Sequence, residues 1–163
     1  RLPASPSTFY AEDLLEAGPR GDTCGQTLTL ADAVNFAREV GELNPRTLNI
    51  EFAKQTPVGE RVVPPMLIFC LGFAEFLQTL LTAPMPSSGF AGHLGDSWRA
   101  FRPALIGDTI RTRHRPLDCR PSRSHPGQAI IRFGLQFLNQ RDEVVQDGQV
   151  TMMIPSREGT SES

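Results

Sequence analysis

Apolar residues recur with a helical period in the first half of this chain and with a strand period in the second half. The first regular helical stretch follows Thr29, which predicts an N-cap, and Asp32 three residues later completes an approximate capping box. Helical spacing continues to Gly41, a residue type that commonly ends helices, through apolar positions Ala33, Val34, Phe36, Ala37 and Val40. A shorter helix is predicted over residues 49–55, and it ends there because Pro57 would disrupt a longer one.

The most apolar segment begins after Pro64 and predicts one long helix that runs from Pro65 to about Leu81. Proline suits a first helical turn, because the N–H that it lacks would have no partner there. The segment is apolar nearly all round, so we expect this helix to be enclosed on most sides. Its apolar run is interrupted by Gly72 and Glu75, and a membrane span needs ~20 apolar residues, so a buried core helix is the better interpretation.

Beyond Pro86 the pattern changes to the alternation of strands. The predicted strands cover residues 90–101, 109–115, 129–138 and 144–154. The alternation is clearest in the third of them, where the set that should face the core is Ile131, Phe133, Leu135 and Phe137.

Turn signals separate these strands. Gly107-Asp108 and Asp147-Gly148 indicate turns or bulges, residues 120–127 a polar loop and residues 140–143 a hairpin turn. With a leading strand and small helices first, then one long helix, the order predicts an α+β fold in which an antiparallel sheet wraps that helix.

Composition and charge narrow the function classes. A chain of 163 residues predicts one domain, over residues 9–155, between a flexible arm at 1–8 and a flexible tail at 156–163. The 16 basic residues are balanced by 18 acidic ones, which argues against nucleic acid as a partner. Three cysteines without zinc or redox spacing, and no visible signal peptide, favour a cytoplasmic protein with reduced thiols and no metal.

Five short segments in one order resemble motifs of the MaoC-like (R)-specific enoyl-thioester hydratase/dehydratase family. The resemblance covers roughly residues 9–157, nearly the whole chain. The segments are residues 9–14 (FYAEDL), 29–53, 58–67 (VGERVVPPML), 101–109 (FRPALIGDT) and 138–145 (LNQRDEVV). It implies a hot-dog fold, no separate cofactor, and as ligand an acyl thioester of coenzyme A or acyl carrier protein, with a polyketide as one candidate acyl group. It also implies at least a dimer, either a homodimer or a heterodimer with a related subunit.

Hydratases of this family use a carboxylate and a histidine, five residues apart, to orient and deprotonate water. The resemblance places the carboxylate at Glu42, and Asn44 matches the motif, but the histidine position holds Thr47. A threonine hydroxyl does not act as a base near neutral pH without an activating neighbour. Losing half of an acid–base pair typically costs ~10²–10⁴ in rate.

The start of the long helix is the second altered position. In the family a backbone N–H there polarises the thioester carbonyl, but the equivalent glycine is Pro65, which has no N–H. Pro64 stands where a histidine precedes that glycine, and Met66 completes the predicted substrate contact. A lost oxyanion donor costs ~10²–10³, so we expect ordinary hydratase activity to be very slow or absent.

Four further residues are candidates for the site. His93 and Asp96 are the first candidates for an acid–base group that replaces the missing histidine. Their spacing of three residues on a regular strand would point them to opposite faces. Arg120 and Arg123 suit the phosphates of coenzyme A, with a solvated loop as the simpler alternative.

Two functions remain open. One is a hydro-lyase on acyl thioesters with Glu42 as its remaining acid–base group. The other is a catalytically degenerate hot-dog subunit that binds a thioester or completes a partner's site. Fold alone does not choose between them.

Overall fold

The computed structural model describes residues 8–18, 20–86 and 92–158. The helices are α1 (Ala11–Ala17), α2 (Leu30–Val40), α3 (Pro45–Leu48), α4 (Ile50–Lys54) and α5 (Pro65–Leu81). The strands are β1 (Gly21–Asp22), β2 (Gln26–Thr27), β3 (Gly92–Ala100), β4 (Thr109–Pro121), β5 (Gln128–Leu138) and β6 (Val144–Pro155). Within these ranges, no helix is long and apolar enough to cross a membrane.

The strands form one antiparallel sheet in the order β1-β4-β5-β6-β3, and β2 pairs separately with β4. The helix α5 packs against its inner face, which confirms the α+β hot-dog architecture. The expected apolar set of β5 faces this core, because Ile131, Phe133, Leu135 and Phe137 are all at most 1% exposed. The strand β3 is the last in this order, and its outer edge has no strand beside it within the described ranges.

Close contact between α5 and the sheet depends on Gly72. A Cβ at this position would overlap the ring of Phe137, so only glycine allows the helix to lie so near β5. The carbonyl of Gly72 also accepts a hydrogen bond from the buried Thr112 Oγ1, at 2.9 Å. The interruption of the apolar run at Gly72 is therefore a packing feature of the helix.

The helix predictions agree well with the structure. Thr29 caps α2 with a reciprocal Asp32 contact, and Gly41 ends it at φ 76°. The long helix spans the predicted residues, but its enclosure was overestimated. One stripe of α5 is exposed, consisting of Met66, Cys70, Ala74 and Gln78.

Three predictions about the ends and turns were wrong. The described chain opens with α1 rather than with a strand. Asp147-Gly148 lies within β6 without a break in register. Its glycine has a packing reason, because Trp98 fills the space where a side chain at residue 148 would stand. The polar loop begins only after Pro121, because β4 is longer than predicted.

The first residues of the predicted tail make contacts with α1. Ser156 is buried and its hydroxyl donates to Glu12, while Arg157 pairs with Asp13 at 2.6 Å. The contacts of the domain therefore extend past residue 155 onto α1. The predicted arm at 1–8 lies outside the described residues except for Thr8, and residues 159–163 lie outside them too.

Candidate active site

The short helix α3 is tied to the segment that enters α5. The Val62 N–H donates to the Arg46 carbonyl at 3.3 Å, and the Thr47 hydroxyl donates to the Val62 carbonyl at 2.9 Å. Asn44 caps α3 by accepting a hydrogen bond from the Arg46 N–H at 3.0 Å. The structure therefore brings the motif around Asn44 and Thr47 next to the start of the long helix.

Glu42 lies on the loop between α2 and α3 and is half-buried. Its carbonyl accepts from the Asn44 N–H at 2.8 Å, which holds the loop in a tight turn. Within the described part of the chain, no hydrogen bond or ion pair involves its carboxylate. That carboxylate is therefore available to bind water or a polar group of a ligand.

The Thr47 hydroxyl, unlike the Glu42 carboxylate, is not available to a ligand. Its side chain is only 1% exposed, and its hydroxyl proton is already committed to the Val62 carbonyl. Within the described residues, this hydroxyl donates to no side-chain base that could activate it. At this position the geometry is that of a structural tether between α3 and the start of α5.

The start of α5 is held by a polar contact that the sequence analysis missed. Gln146 on β6 donates from Nε2 to the Pro65 carbonyl at 2.9 Å and accepts from Trp98 Nε1 at 2.7 Å. Pro64 is buried, whereas Met66 is 53% exposed. Among the described residues, nothing accepts a hydrogen bond from the Met66 N–H, which is the first donor after the two prolines.

His93 and Asp96 lie on the same face of β3, so the expectation of opposite faces was wrong. The register of β3 against β6 shifts between His93 and Gly95, which leaves Leu94 as the extra residue of a β-bulge. Beyond the bulge the alternation is reversed, and His93 Nε2 lies 2.8 Å from Asp96 Oδ1. The imidazole stacks on Phe73 of α5, with centroids 5.1 Å apart and planes at 18°.

Arg120 and Arg123 are not brought to the start of α5. Arg120 pairs with Ile130 near the far end of the sheet, while Gln146, which contacts Pro65, pairs with Phe137 at the near end. Both arginines are exposed, and a contact with coenzyme A phosphates stays a prediction. In the described ranges, no cluster of histidine, cysteine and acidic side chains has the geometry of a metal site.

A second histidine, His114 on β4, is buried beneath Phe76, at 5.6 Å between ring centroids. Neither of its ring nitrogens has a hydrogen-bond partner among the described residues. Burial lowers the pKa of His114, because the charged imidazolium would lose its hydration. The ring therefore acts as a neutral core side chain.

A family model described as "FAS1-like, dehydratase domain region" matches residues 22–148 of the chain. The chain belongs to the MaoC-like dehydratase family. It is 27% identical to a 3-hydroxybutyryl-CoA dehydratase from Methylorubrum extorquens, over 92% of this chain and 87% of that protein.

Solved structures agree with this family assignment. A MaoC-like dehydratase from Rhodospirillum rubrum is 27% identical, with 91% of this chain and 98% of that chain covered and a TM-score of 0.73. A (3R)-hydroxyacyl-ACP dehydratase complex from Mycobacterium tuberculosis matches at a TM-score of 0.67 over 83% of this chain and 94% of that one. At 18% identity, the second similarity shows the fold alone.

Proposed function

We propose that this MaoC-like protein is a hydro-lyase-type protein that acts on an acyl thioester of coenzyme A or acyl carrier protein through an altered site. The observation that supports this proposal most is that the Glu42 carboxylate has no partner within the described residues. Glu42 lies on a loop that is joined through α3 to the start of α5. A 3-hydroxybutyryl-CoA dehydratase among its relatives supports the choice of thioester.

Hydration adds water across the C2–C3 double bond of an enoyl thioester. Glu42 is suited to accept a proton from the attacking water, as a general base within hydrogen-bond reach. Thr47 does not share that work, because its hydroxyl is buried and bound to Val62. In a site built from one chain alone, the proton for C2 has no evident source.

The thioester carbonyl needs a donor as negative charge develops on its oxygen. Pro65 supplies none, and the Met66 N–H is the first free donor of the helix, on an exposed residue. We assign the carbonyl to Met66 rather than to the residue before it. Gln146 supports this arrangement, because it holds the Pro65 carbonyl and so the orientation of the first turn.

A binding subunit is the second candidate. The Thr47 tether favours it, since a threonine that connects two elements has a structural use independent of catalysis. Such a subunit would hold the thioester beside Glu42 while a related chain supplies the missing groups. The named complex among the fold relatives is consistent with such an assembly.

We also propose that the protein is at least a dimer. Natural sheets rarely leave a long edge bare, and the nine-residue strand β3, which pairs with β6 on one side, has no strand along its other side in the described ranges. The exposed stripe of α5 adds apolar surface, including Met66 and Cys70. A second copy or a related hot-dog subunit would cover both.

The test separates binding from turnover. Calorimetric titration with crotonyl-CoA, with free coenzyme A as the control, should show binding of the thioester that weakens in Glu42→Gln but not in Glu39→Gln, an exposed carboxylate on α2. Loss of enoyl-thioester absorbance then measures hydration. Binding without turnover supports the binding subunit, and turnover at ~1–10³ s⁻¹ means that another residue replaces the missing imidazole.

One outcome would overturn both candidates. If neither crotonyl-CoA nor a crotonyl group on an acyl carrier protein binds to the assembled protein, the site around Glu42 does not recognise thioesters.

A further inference from the structure

The outer face of the sheet, on the side away from α5, carries a hollow of about 630 Å³. Four neighbouring strands line it, through residues that include Arg99 of β3, Arg113 and Arg115 of β4, Gly134 and Gln136 of β5 and Gln149 of β6. These positions alternate along each strand with the residues that face α5. Pockets for small organic molecules have volumes of roughly 300–1,000 Å³, so this hollow has the size of a ligand site.

Gly134 forms the floor of the hollow. It pairs with Arg115 on one side and with Gln149 on the other, so a side chain here would stand in the middle of the outer face. Leu117 borders the space above it, since its Cδ2 would lie 3.3 Å from a Cβ added to Gly134. Leu117 is the extra residue of a β-bulge, because the register of β4 against β5 shifts at this point. The result is a recess with one apolar wall.

Both rims of the hollow carry arginine. Arg113 and Arg115 stand on the β4 rim, and Arg99 stands on the β3 rim, three strand spacings or ~14 Å away at the level of the backbone. A concave surface with an excess of one sign of charge raises the local concentration of ligands of the opposite sign. The charge of the hollow therefore favours an anion.

Acidic neighbours neutralise these arginines only in part. Asp22 accepts from Nε and Nη2 of Arg113, which leaves Nη1 available in the described ranges. Asp147, the acidic residue of the lining, approaches Arg99 only at 3.5 Å. Arg115 is exposed and, within the described part of the chain, has neither a hydrogen bond nor an ion pair. The β4 rim therefore presents one complete guanidinium group and part of a second to a ligand.

Two amide side chains add donors beside Gly134. Gln149 accepts from Arg132 through its Oε1, at 3.2 Å, and its Nε2 has no acceptor among the described residues. The Gln136 amide makes no hydrogen bond within those residues either. Phosphate oxygens accept from guanidinium and amide groups, and the planar guanidinium matches two phosphate oxygens at once. The uncommitted donors of the hollow thus suit a phosphate group.

We propose that this hollow binds a phosphate monoester of about nucleotide size. The phosphate contacts Arg115 and the Nη1 of Arg113, and the organic body lies over Gly134 against Leu117. The site is separate from the thioester site, because the sheet stands between the hollow and the Pro65 carbonyl, which Gln146 holds on the helix-facing side. The inference therefore goes beyond the proposed function and does not depend on it.

Calorimetric titration of the full chain with AMP is the direct test, since AMP combines a phosphate monoester with an aromatic body. We expect AMP to bind with a Kd below ~1 mM. Adenosine and inorganic phosphate should each bind at least ~10-fold more weakly, or ~1.4 kcal/mol, because each lacks one half of the recognised ligand. Inorganic phosphate that binds as tightly as AMP would overturn the inference, since the recess would then recognise no organic body.

Variants locate the binding. Arg115→Gln should raise the Kd for AMP at least ~10-fold, whereas Arg38→Gln, which changes an exposed arginine on α2, should leave it unchanged. Gly134→Leu should abolish binding, because the new side chain fills the recess once Leu117 moves aside. Circular dichroism checks the fold of each variant, and Arg115→Gln, an exposed change, decides the question if Gly134→Leu does not fold. Equal weakening in Arg115→Gln and Arg38→Gln would overturn the inference.

A competition experiment separates the two sites. Crotonyl-pantetheine carries the thioester without a nucleotide, and saturating AMP should not displace it. Displacement would place AMP in the thioester site and overturn this inference while leaving the proposed function, and so would a complete lack of AMP binding at ~1 mM. AMP binding that depends on Arg115, in a protein that binds no thioester, would support the inference and overturn the proposed function alone.

Discussion

At one edge of the sheet, β4 is covered by the two-residue strands β1 and β2, whereas at the other edge β3 has no neighbour within the described ranges. The covered edge is fixed by charge. Asp22 pairs with both Arg111 and Arg113, and these hydrogen bonds hold the pKa of its carboxyl well below its usual range. Thr23 adds a contact to Glu75 on α5 and accepts from the Thr112 N–H.

The open edge has the opposite character. Its residues are mostly exposed, and on its helix-facing side the His93 ring stacks on Phe73 and contacts Asp96. The same contrast divides α5, because its inner face is packed against β5 while its other stripe is exposed. The covered edge and the inner face of α5 therefore stabilise the fold, and the open edge of β3 with the exposed stripe of α5 is where we place assembly.

The largest expected effect is on the inner face of α5. Phe76 is 1% exposed and its ring lies 4.9 Å from that of Phe133, so Phe76→Ala should reduce the free energy of unfolding by ~3–5 kcal/mol. Cys70→Ala, on the exposed stripe of α5, is the matched control and should change it by less than ~1 kcal/mol. Urea denaturation measures both, and equal effects would abolish the contrast between the two faces.

Gly72→Ala should have the next largest effect. The added methyl group would overlap the Phe137 ring, so α5 or β5 must shift, at ~1–3 kcal/mol in the free energy of unfolding. Ala74→Ser, two residues away on the exposed stripe, should cost at most ~0.5 kcal/mol. A thermal or chemical denaturation series in which Gly72→Ala is neutral would show that the helix–sheet contact is looser than described.

A charged substitution on β3 tests whether its open edge forms the dimer interface. Leu94→Glu would place two carboxylates in the interface of a β3-paired dimer, and the dissociation constant should rise at least ~10-fold, or about 1.4 kcal/mol. Ile50→Glu, an exposed apolar position on α4, should leave the dissociation constant unchanged. Sedimentation equilibrium compares them, and an unaltered dimer in Leu94→Glu would place the interface elsewhere.

The smallest expected effect concerns pH. His114 is buried without a partner for its nitrogens in the described ranges, and burial lowers its pKa in the folded state. The unfolded chain therefore binds this proton more readily, and stability is lost as pH falls below the ordinary value of 6.5, until the folded pKa is reached.

His114→Leu should flatten that part of the stability curve, whereas His125→Leu, on the exposed loop, should not. Urea midpoints between pH 5 and pH 8 give the comparison. Parallel curves for wild-type protein and His114→Leu would mean that the ring is not desolvated.

The local elements were predictable because their signals act over a few residues. Capping by Thr29, termination at Gly41 and the apolar run after Pro65 predicted α2 and α5 to within a residue. The α+β fold and the family also followed from the order of motifs. The leading strand was wrong, since residues 9–14 carry a capping arrangement of Tyr10 with Asp13 that begins α1.

The contacts of the candidate site were less predictable. Nothing local in the sequence marks Gln146 as the residue that holds the Pro65 carbonyl, because they are far apart in the chain. The tether of Thr47 to Val62 likewise appears only when α3 docks beside α5. A weak signal did exist for the bulge, since Gly95 within a strand indicates an irregular position.

The sequence by itself determined the periodicities, the caps and the order of the helices and of the four long strands. Tertiary structure alone decided that His93 and Asp96 meet, because a single extra residue in the pairing of β3 with β6 reverses the faces of all that follow. It also decided that, within the described ranges, the outer edge of β3 has no strand beside it. Strand pairing is a long-range choice among hydrogen-bond registers, and the residues within one strand do not specify it.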